Sequence, residues 1–182
     1  MEEEALDFAR KAHGKQQRKY TLEPYINHPK RVAEIVRTVP HSTEMICAAY
    51  LHDVVEDTPV SVEEIEKRFG KKTAHLVWEL TDEFTHEKYP HLNRKKRKKK
   101  EVERQATMSV EAKTIKLADV IDNTPDITRN DLNFARRYVP EMKALTAILT
   151  EGDPELLQRA RKEIERAENR IAKSKFEKGS ID

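Results

Sequence analysis

Apolar residues recur at helical spacing along most of the chain, and no segment alternates in the manner of a strand. Near the start, Ala5, Phe8, Ala9 and Ala12 form a stripe that predicts a helix over residues 2–17, with His13 beside it. A polar, turn-rich loop from Gln17 to Asn27 follows. Pro29 stands where proline favours the first helical position, which puts His28 at or next to an N-cap. Val32, Ile35, Val36 and Val39 carry the apolar face of this second helix, and Pro40 stops it. Ser42 can cap a third. Ser61-Val62-Glu63-Glu64 reads as a capping box and Gly70 as the end of that short helix. A further helix is predicted over 71–83, with Ala74, Val77, Trp78 and Leu80 inward. Ser109 can cap a helix through Ile115, Leu117, Ala118 and Ile121 that breaks at Asn123-Thr124-Pro125. Residues 131–149 and 154–174 give two more, the last opened by Asp153-Pro154, and the tail from Phe176 is expected to fray. There is no internal repeat and no boundary, so the expectation is one all-α domain over residues 1–182.

The third helix departs from the amphipathic pattern. Ile46 to Leu51 has no polar face, and a helix apolar all round is buried by its neighbours. The chain then delivers His52, Asp53, Glu56 and Asp57. His52 and Glu56 lie one turn apart, as do Asp53 and Asp57, so these ionisable groups share one side of a helix end beside the core. Without a cation or a proton, three carboxylates there would repel one another and lose hydration. A divalent metal answers that directly, and a His plus Asp set suits manganese, iron, cobalt or zinc better than calcium or magnesium. A His-Asp dipeptide alone is weak support, because acidic helix ends generally face solvent. It gains weight from His28 and Asp119, each in a polar break beside an apolar stretch. Two imidazoles and two carboxylates would hold one ion and leave positions for water and substrate, with Glu56 and Asp57 as acid/base or water-positioning groups.

Composition narrows the field further. Hydrophobic and charged residues each make up 37% of the chain, but the charges fall between periodic apolar positions, which indicates a folded helical protein. The 35 basic and 33 acidic residues nearly balance and give no global nucleic-acid signal. Cys47, the single cysteine, excludes an internal disulfide and fits a reducing compartment. No apolar stretch approaches the ~20 residues that span a bilayer. Met1 followed by three glutamates is the opposite of a signal peptide, so the cytoplasm is the expected location. The basic run Arg94 to Lys100 reads as a solvated helix face or an electropositive rim for an anionic substrate. A nucleic-acid patch is the less favoured reading, because the run is short and has no interleaved aromatics. His41 and His75 read as surface or boundary histidines. Tyr138 either faces a ligand or is a core tyrosine with a satisfied hydroxyl.

The order His, His-Asp, Asp resembles the HD-domain metal-dependent phosphohydrolases. A closer resemblance is carried by Arg18-Lys19, Pro24-Tyr25-Ile26-Asn27-His28-Pro29, Leu51-His52-Asp53-Val54-Val55-Glu56-Asp57-Thr58, Phe69-Gly70 and Lys116-Leu117-Ala118-Asp119. These segments look like the hydrolase domain of RelA/SpoT-type proteins, over about residues 5–150, and the chain resembles a stand-alone small alarmone hydrolase of the stringent response. The resemblance implies an HD-domain helical bundle and one manganese, or another divalent transition metal, on His28, His52, Asp53 and Asp119. It implies that Glu56 and Asp57 are the catalytic acidic pair, and that Arg18, Lys19 and Asn123 contact the nucleotide, with Tyr138 a further candidate. The implied reaction removes the 3′-pyrophosphate of (p)ppGpp, giving GDP or GTP and pyrophosphate. This sequence departs from the family pattern in three places. Pro125 stands where an arginine is expected, the loop Tyr20-Thr21-Leu22-Glu23 lacks its usual glycine, and the 84–100 segment is longer and more basic. A phosphohydrolase for another nucleotide, such as NADPH or a nucleoside phosphate, is therefore the alternative. A non-catalytic nucleotide or nucleic-acid binder is a third reading, opposed by the intact ligand and acidic set. The oligomeric state is not legible.

Overall fold

A computed structural model describes residues 1–179 and, for side chains, residues 1–174. Among the described residues the chain forms helices α1 (Glu2–His13), α2 (Asn27–Val36), α3 (Thr43–Leu51), α4 (Val54–Asp57), α5 (Val62–Leu80), α6 (Arg94–Gln105), α7 (Val110–Asn130), α8 (Leu132–Ile148) and α9 (Pro154–Gly179). The one extended pairing there is an isolated antiparallel bridge between Gln17 and Pro24. The fold is all-α.

Helix α3 is the centre of the bundle. Met45 to Leu51 are buried without exception, and α3 packs against α1, α2, α5 and α7. Ser42 caps it by accepting from Met45 N–H, Ser61 caps α5 through Glu64 N–H, and Ser109 caps α7 through Ala112 N–H. Helix α7 is the second spine, in contact with α2, α5, α8 and α9. Its Ile115, Leu117, Ala118 and Val120 are buried, so the polar residues that follow are held at a fixed height against the core.

Four local readings change. Helix α1 ends at His13, not at residue 17, because Gly14 adopts φ 53 and turns the chain. The loop that lacks its usual glycine instead places Leu22 at φ 57, a conformation that costs a non-glycine residue about 1–2 kcal/mol. Trp78 is 54% exposed and stacks on His75 with ring centroids 5.6 Å apart. The buried stripe of that stretch is Thr73, Ala74, Leu76, Val77 and Leu80, and residue 78 lies about 100° round the helix from Val77. Finally, α7 does not break at Asn123-Thr124-Pro125. Pro125 removes one backbone donor, but buried Thr124, Ile127 and Thr128 keep the segment packed, and the Thr124 and Thr128 hydroxyls bond to carbonyls one turn back. Gly70 does interrupt α5, with φ 85 and ψ 164 between its two parts. Where fraying was expected from Phe176, the backbone of α9 continues as helix to Gly179, and residues 180–182 lie outside the described residues.

Candidate active site

His28 lies in the first turn of α2, His52 caps the C-terminus of α3, Asp53 is the N-cap of α4, and Asp119 sits midway along α7. Three helix ends and one continuous helix thus converge. His28 Nε2 is 3.2 Å from Asp119 Oδ1 and 3.6 Å from Asp53 Oδ2. His52 Nε2 is 3.1 Å from Asp53 Oδ2 and 3.8 Å from Asp119 Oδ1. His28, His52 and Asp119 can each offer a ligand atom within 4.8 Å of the others.

The opposite ring nitrogens fix the tautomers. His28 Nδ1 is 2.7 Å from Asp122 Oδ2, and His52 Nδ1 is 2.8 Å from the Ala49 carbonyl. Both partners are acceptors, so each Nδ1 carries the hydrogen and each Nε2 presents a lone pair to the cluster. His52 Nε2 is fully buried and has no hydrogen-bond partner. Two inward lone pairs among carboxylate oxygens form a donor set that a divalent transition metal satisfies. In the absence of another cation the cluster takes up a proton in its place. Burial opposes charge on His52, but Asp53 and Asp119 outweigh it and push the imidazole up to about 9 when no other cation is present. Burial likewise opposes charge on Asp119, and Lys116 with His28 holds that carboxyl well below its ordinary range.

The surrounding shell contains residues to which the sequence reading gave no role at the site. Asp122 orients His28 and is itself bridged by Arg31, which also reaches Glu23. Lys116 Nζ donates to Asp119 Oδ2 at 2.9 Å. The Tyr25 hydroxyl donates to Asp53 Oδ2 at 2.6 Å. The signal for Asp122 was its helical spacing of three from Asp119, which puts both carboxylates on one face. Nothing comparable pointed to Tyr25 as the Asp53 partner.

Glu56 and Asp57, on the single turn of α4, open toward solvent. Glu56 accepts from the Asp82 backbone N–H, and Gln16 Nε2 donates to Asp57 at 3.0 Å. Partial enclosure, then Asp82 and Asp53, lift the Glu56 carboxyl to about 7. Beside the cluster is a pocket of about 360 Å³ lined by Gln16, Arg18, Lys19, Tyr25, Asn123 and Asp126 among others. Arg18 is 8% exposed, and its guanidinium donates to Asn123 at 2.9 Å and Asp126 at 2.8 Å while Nε has no partner. Asn123 in turn donates to Asp119 at 2.6 Å, linking the pocket to the His/Asp cluster. Lys19 is exposed and lies over the Tyr20 and Phe134 rings. Tyr138 is buried next to Phe134 with its hydroxyl against Thr124, and is not among the lining residues. Pro125 lines a different, wider groove of about 690 Å³ between α7 and α9, whose lining includes none of His28, His52, Asp53 and Asp119. The position of the missing arginine is therefore not among the residues that line the pocket around Arg18 in this chain.

The HD domain family matches over residues 5–149, and the chain belongs to that family. Within it, the chain is 42% identical over 130 residues to the guanosine-3′,5′-bis(diphosphate) 3′-pyrophosphohydrolase MESH1 of Drosophila melanogaster, covering 70% of this chain and 69% of the fly protein. The Homo sapiens MESH1 is 41% identical over 129 residues, with 69% of each chain covered. A solved structure of a metazoan ortholog of SpoT, described as hydrolysing ppGpp and playing a role in starvation responses, matches with TM-score 0.80 and 32% identity. It covers 91% of this chain and 94% of its own.

Proposed function

We propose that this chain is a metal-dependent hydrolase that removes the 3′-pyrophosphate of (p)ppGpp, giving GDP or GTP and pyrophosphate, in the cytoplasm and within a stringent-type response. The observation that carries the reading is the convergence of His28, His52, Asp53 and Asp119 beside a pocket lined by Arg18, Lys19 and Asn123. Those four side chains would hold the ion, with manganese the metal proposed. When bound, it supplies Lewis-acid polarisation of phosphate and a water that ionises near neutral pH.

The protein groups account for the rest. The buried guanidinium of Arg18, whose Nε has no partner within the protein, and the exposed ammonium of Lys19 would meet the nucleotide phosphates and offset charge as the pyrophosphate departs. Glu56 and Asp57 handle the protons at the mouth of the site. The second reading, hydrolysis of another nucleotide such as NADPH, is favoured by one observation: the Arg18 head is already engaged by Asn123 and Asp126, which leaves less of it for a highly phosphorylated ligand. The substrate panel separates the two. Manganese-reconstituted protein is expected to convert ppGpp to GDP and pyrophosphate, read by ion-exchange chromatography and ³¹P NMR. Untouched ppGpp together with ready phosphate release from NADPH would transfer the assignment to the second reading.

The basic run lies on α6, capped by Asn93. Arg94 is paired with Glu141 and Lys98 with Asp82, the residue whose backbone N–H holds Glu56, while Lys95, Lys96, Lys99 and Lys100 are exposed. We propose an electrostatic rim for the nucleotide and no nucleic-acid partner. Replacing Lys98, Lys99 and Lys100 together by Gln is expected to raise KM about three- to tenfold at low salt. The effect should fade at high salt, where exposed charges are screened. Submicromolar duplex binding at physiological salt, lost in that variant, would reverse the assignment.

A further inference from the structure

Gly14 returns the chain so that Gln16 faces both α1 and α4. The Gln16 backbone is pinned on each side, its N–H donating to the His13 carbonyl and its carbonyl accepting from Tyr25 N–H, both at 2.9 Å. The side chain is pinned as well. Gln16 Oε1 is 2.9 Å from His13 Nδ1, and Gln16 Nε2 donates to Asp57 Oδ2 at 3.0 Å. His13 is 5% exposed, its ring lies 4.7 Å from the Tyr25 ring, and its Nε2 has no hydrogen-bond partner. Tyr25 closes the loop of contacts by donating to Asp53.

The orientation of an amide is a choice between two faces, and the partners decide it. An amide oxygen turned to Asp57 would set two acceptors against each other, whereas the NH₂ can donate. That requires the oxygen to face His13, and therefore requires a hydrogen on His13 Nδ1. We infer that His13 and Gln16 are positioning residues for the reaction: His13, as the Nδ1–H tautomer, sets the Gln16 amide, and the amide holds the exposed Asp57 carboxylate in its working direction. Asp57 needs such a hold. It sits on a four-residue helix at the surface, and Gln16 is the only side-chain hydrogen-bond partner it has among the described residues. The inference rests on Asp57 belonging to the acidic pair of the proposed hydrolase.

Asparagine and glutamine separate this role from simple packing, since the amide nitrogen of Asn can stand near the place of Nδ1 and that of Gln near Nε2. In manganese-loaded full-length protein, Gln16→Ala is expected to lower kcat about tenfold, the weight of one hydrogen bond to a charged group. KM and bound manganese should stay within about twofold. His13→Gln should show a similar loss, and His13→Asn should recover most of it. Equal kcat for the two His13 variants, or wild-type kcat in Gln16→Ala, would overturn the inference. A second readout needs no substrate. In zinc-loaded protein carrying ¹⁵N-histidine, long-range ¹H–¹⁵N correlations should show His13 as Nδ1–H, and an Nε2–H tautomer would overturn it. If ppGpp proves not to be the substrate, the NMR result still stands, and kcat is compared on whichever nucleotide is turned over.

Discussion

Asp119→Ala is expected to yield protein that purifies without a bound transition metal and has lost on the order of a thousandfold or more in kcat. That is the scale of the several kcal/mol that a bound cation contributes to phosphoryl chemistry. Asp119 is the carboxylate shared by both imidazoles, at 3.2 Å from His28 Nε2 and 3.8 Å from His52 Nε2, and it also receives Lys116 and Asn123. Its removal therefore does more than delete one ligand. Lys116, with 17% of its side chain exposed, loses its carboxylate, and Asn123 loses the acceptor that ties the Arg18 pocket to the metal cluster. Chelation of the unmodified protein should reproduce the loss of activity but be reversible on adding manganese. The chelated protein should also show the His52 signature. Its folded imidazole is held up to about 9 against an ordinary 6.5, so charged His52 contributes stability that is fully present below about pH 6.5 and is lost as pH rises through about 9. Elemental analysis and thermal melts from pH 6 to 9 check both parts. Full metal occupancy in Asp119→Ala would remove Asp119 from the ligand set.

The converging His and Asp residues were legible because the polar positions sit where hydrophobic periodicity stops. His28, His52-Asp53 and Asp119 each follow or open an apolar helical segment, and the buried sides of α2, α3 and α7 bring those points together. The all-α fold and the Ser42, Ser61 and Ser109 caps were legible for the same local reason. What was not legible depends on tertiary contact. No spacing rule connects Tyr25 to Asp53, or Gln16 to Asp57 across 41 positions. Arg18 reads as a phosphate ligand in a loop, yet it is buried and paired with Asn123 and Asp126 more than a hundred residues away. Pro125 misled because proline inside a helix normally ends it, whereas here packing of Thr124, Ile127 and Thr128 outweighs one missing hydrogen bond. Trp78 misled because its size invites burial, while the helix phase had already given the inner face to Val77 and Leu80.

Glu56→Gln is expected to keep the metal and the nucleotide while lowering kcat by about a hundredfold or more, the usual weight of a positioned proton donor. The substitution is nearly isosteric, and the amide oxygen can still accept from the Asp82 N–H. What is lost is the acid. Enclosure by protein, with Asp82 and Asp53 nearby, raises the Glu56 carboxyl to about 7, so a substantial fraction keeps its proton up to about neutral pH and is available to the departing oxygen. The pH profile of kcat/KM should accordingly fall above about pH 7, and Glu56→Gln should lack that limb. Stability supplies an independent sign. Between the ordinary 4.5 and about 7 the folded chain binds a proton that the unfolded chain has released, so Glu56 costs the metal-free protein stability as pH rises across that window. Glu56→Gln should melt at the same temperature as the parent near pH 4.5 and at a higher temperature near pH 8. If kcat stayed within a few-fold of the parent and the descending limb persisted, the proton donor would have to be sought elsewhere on α4, beginning with Asp57.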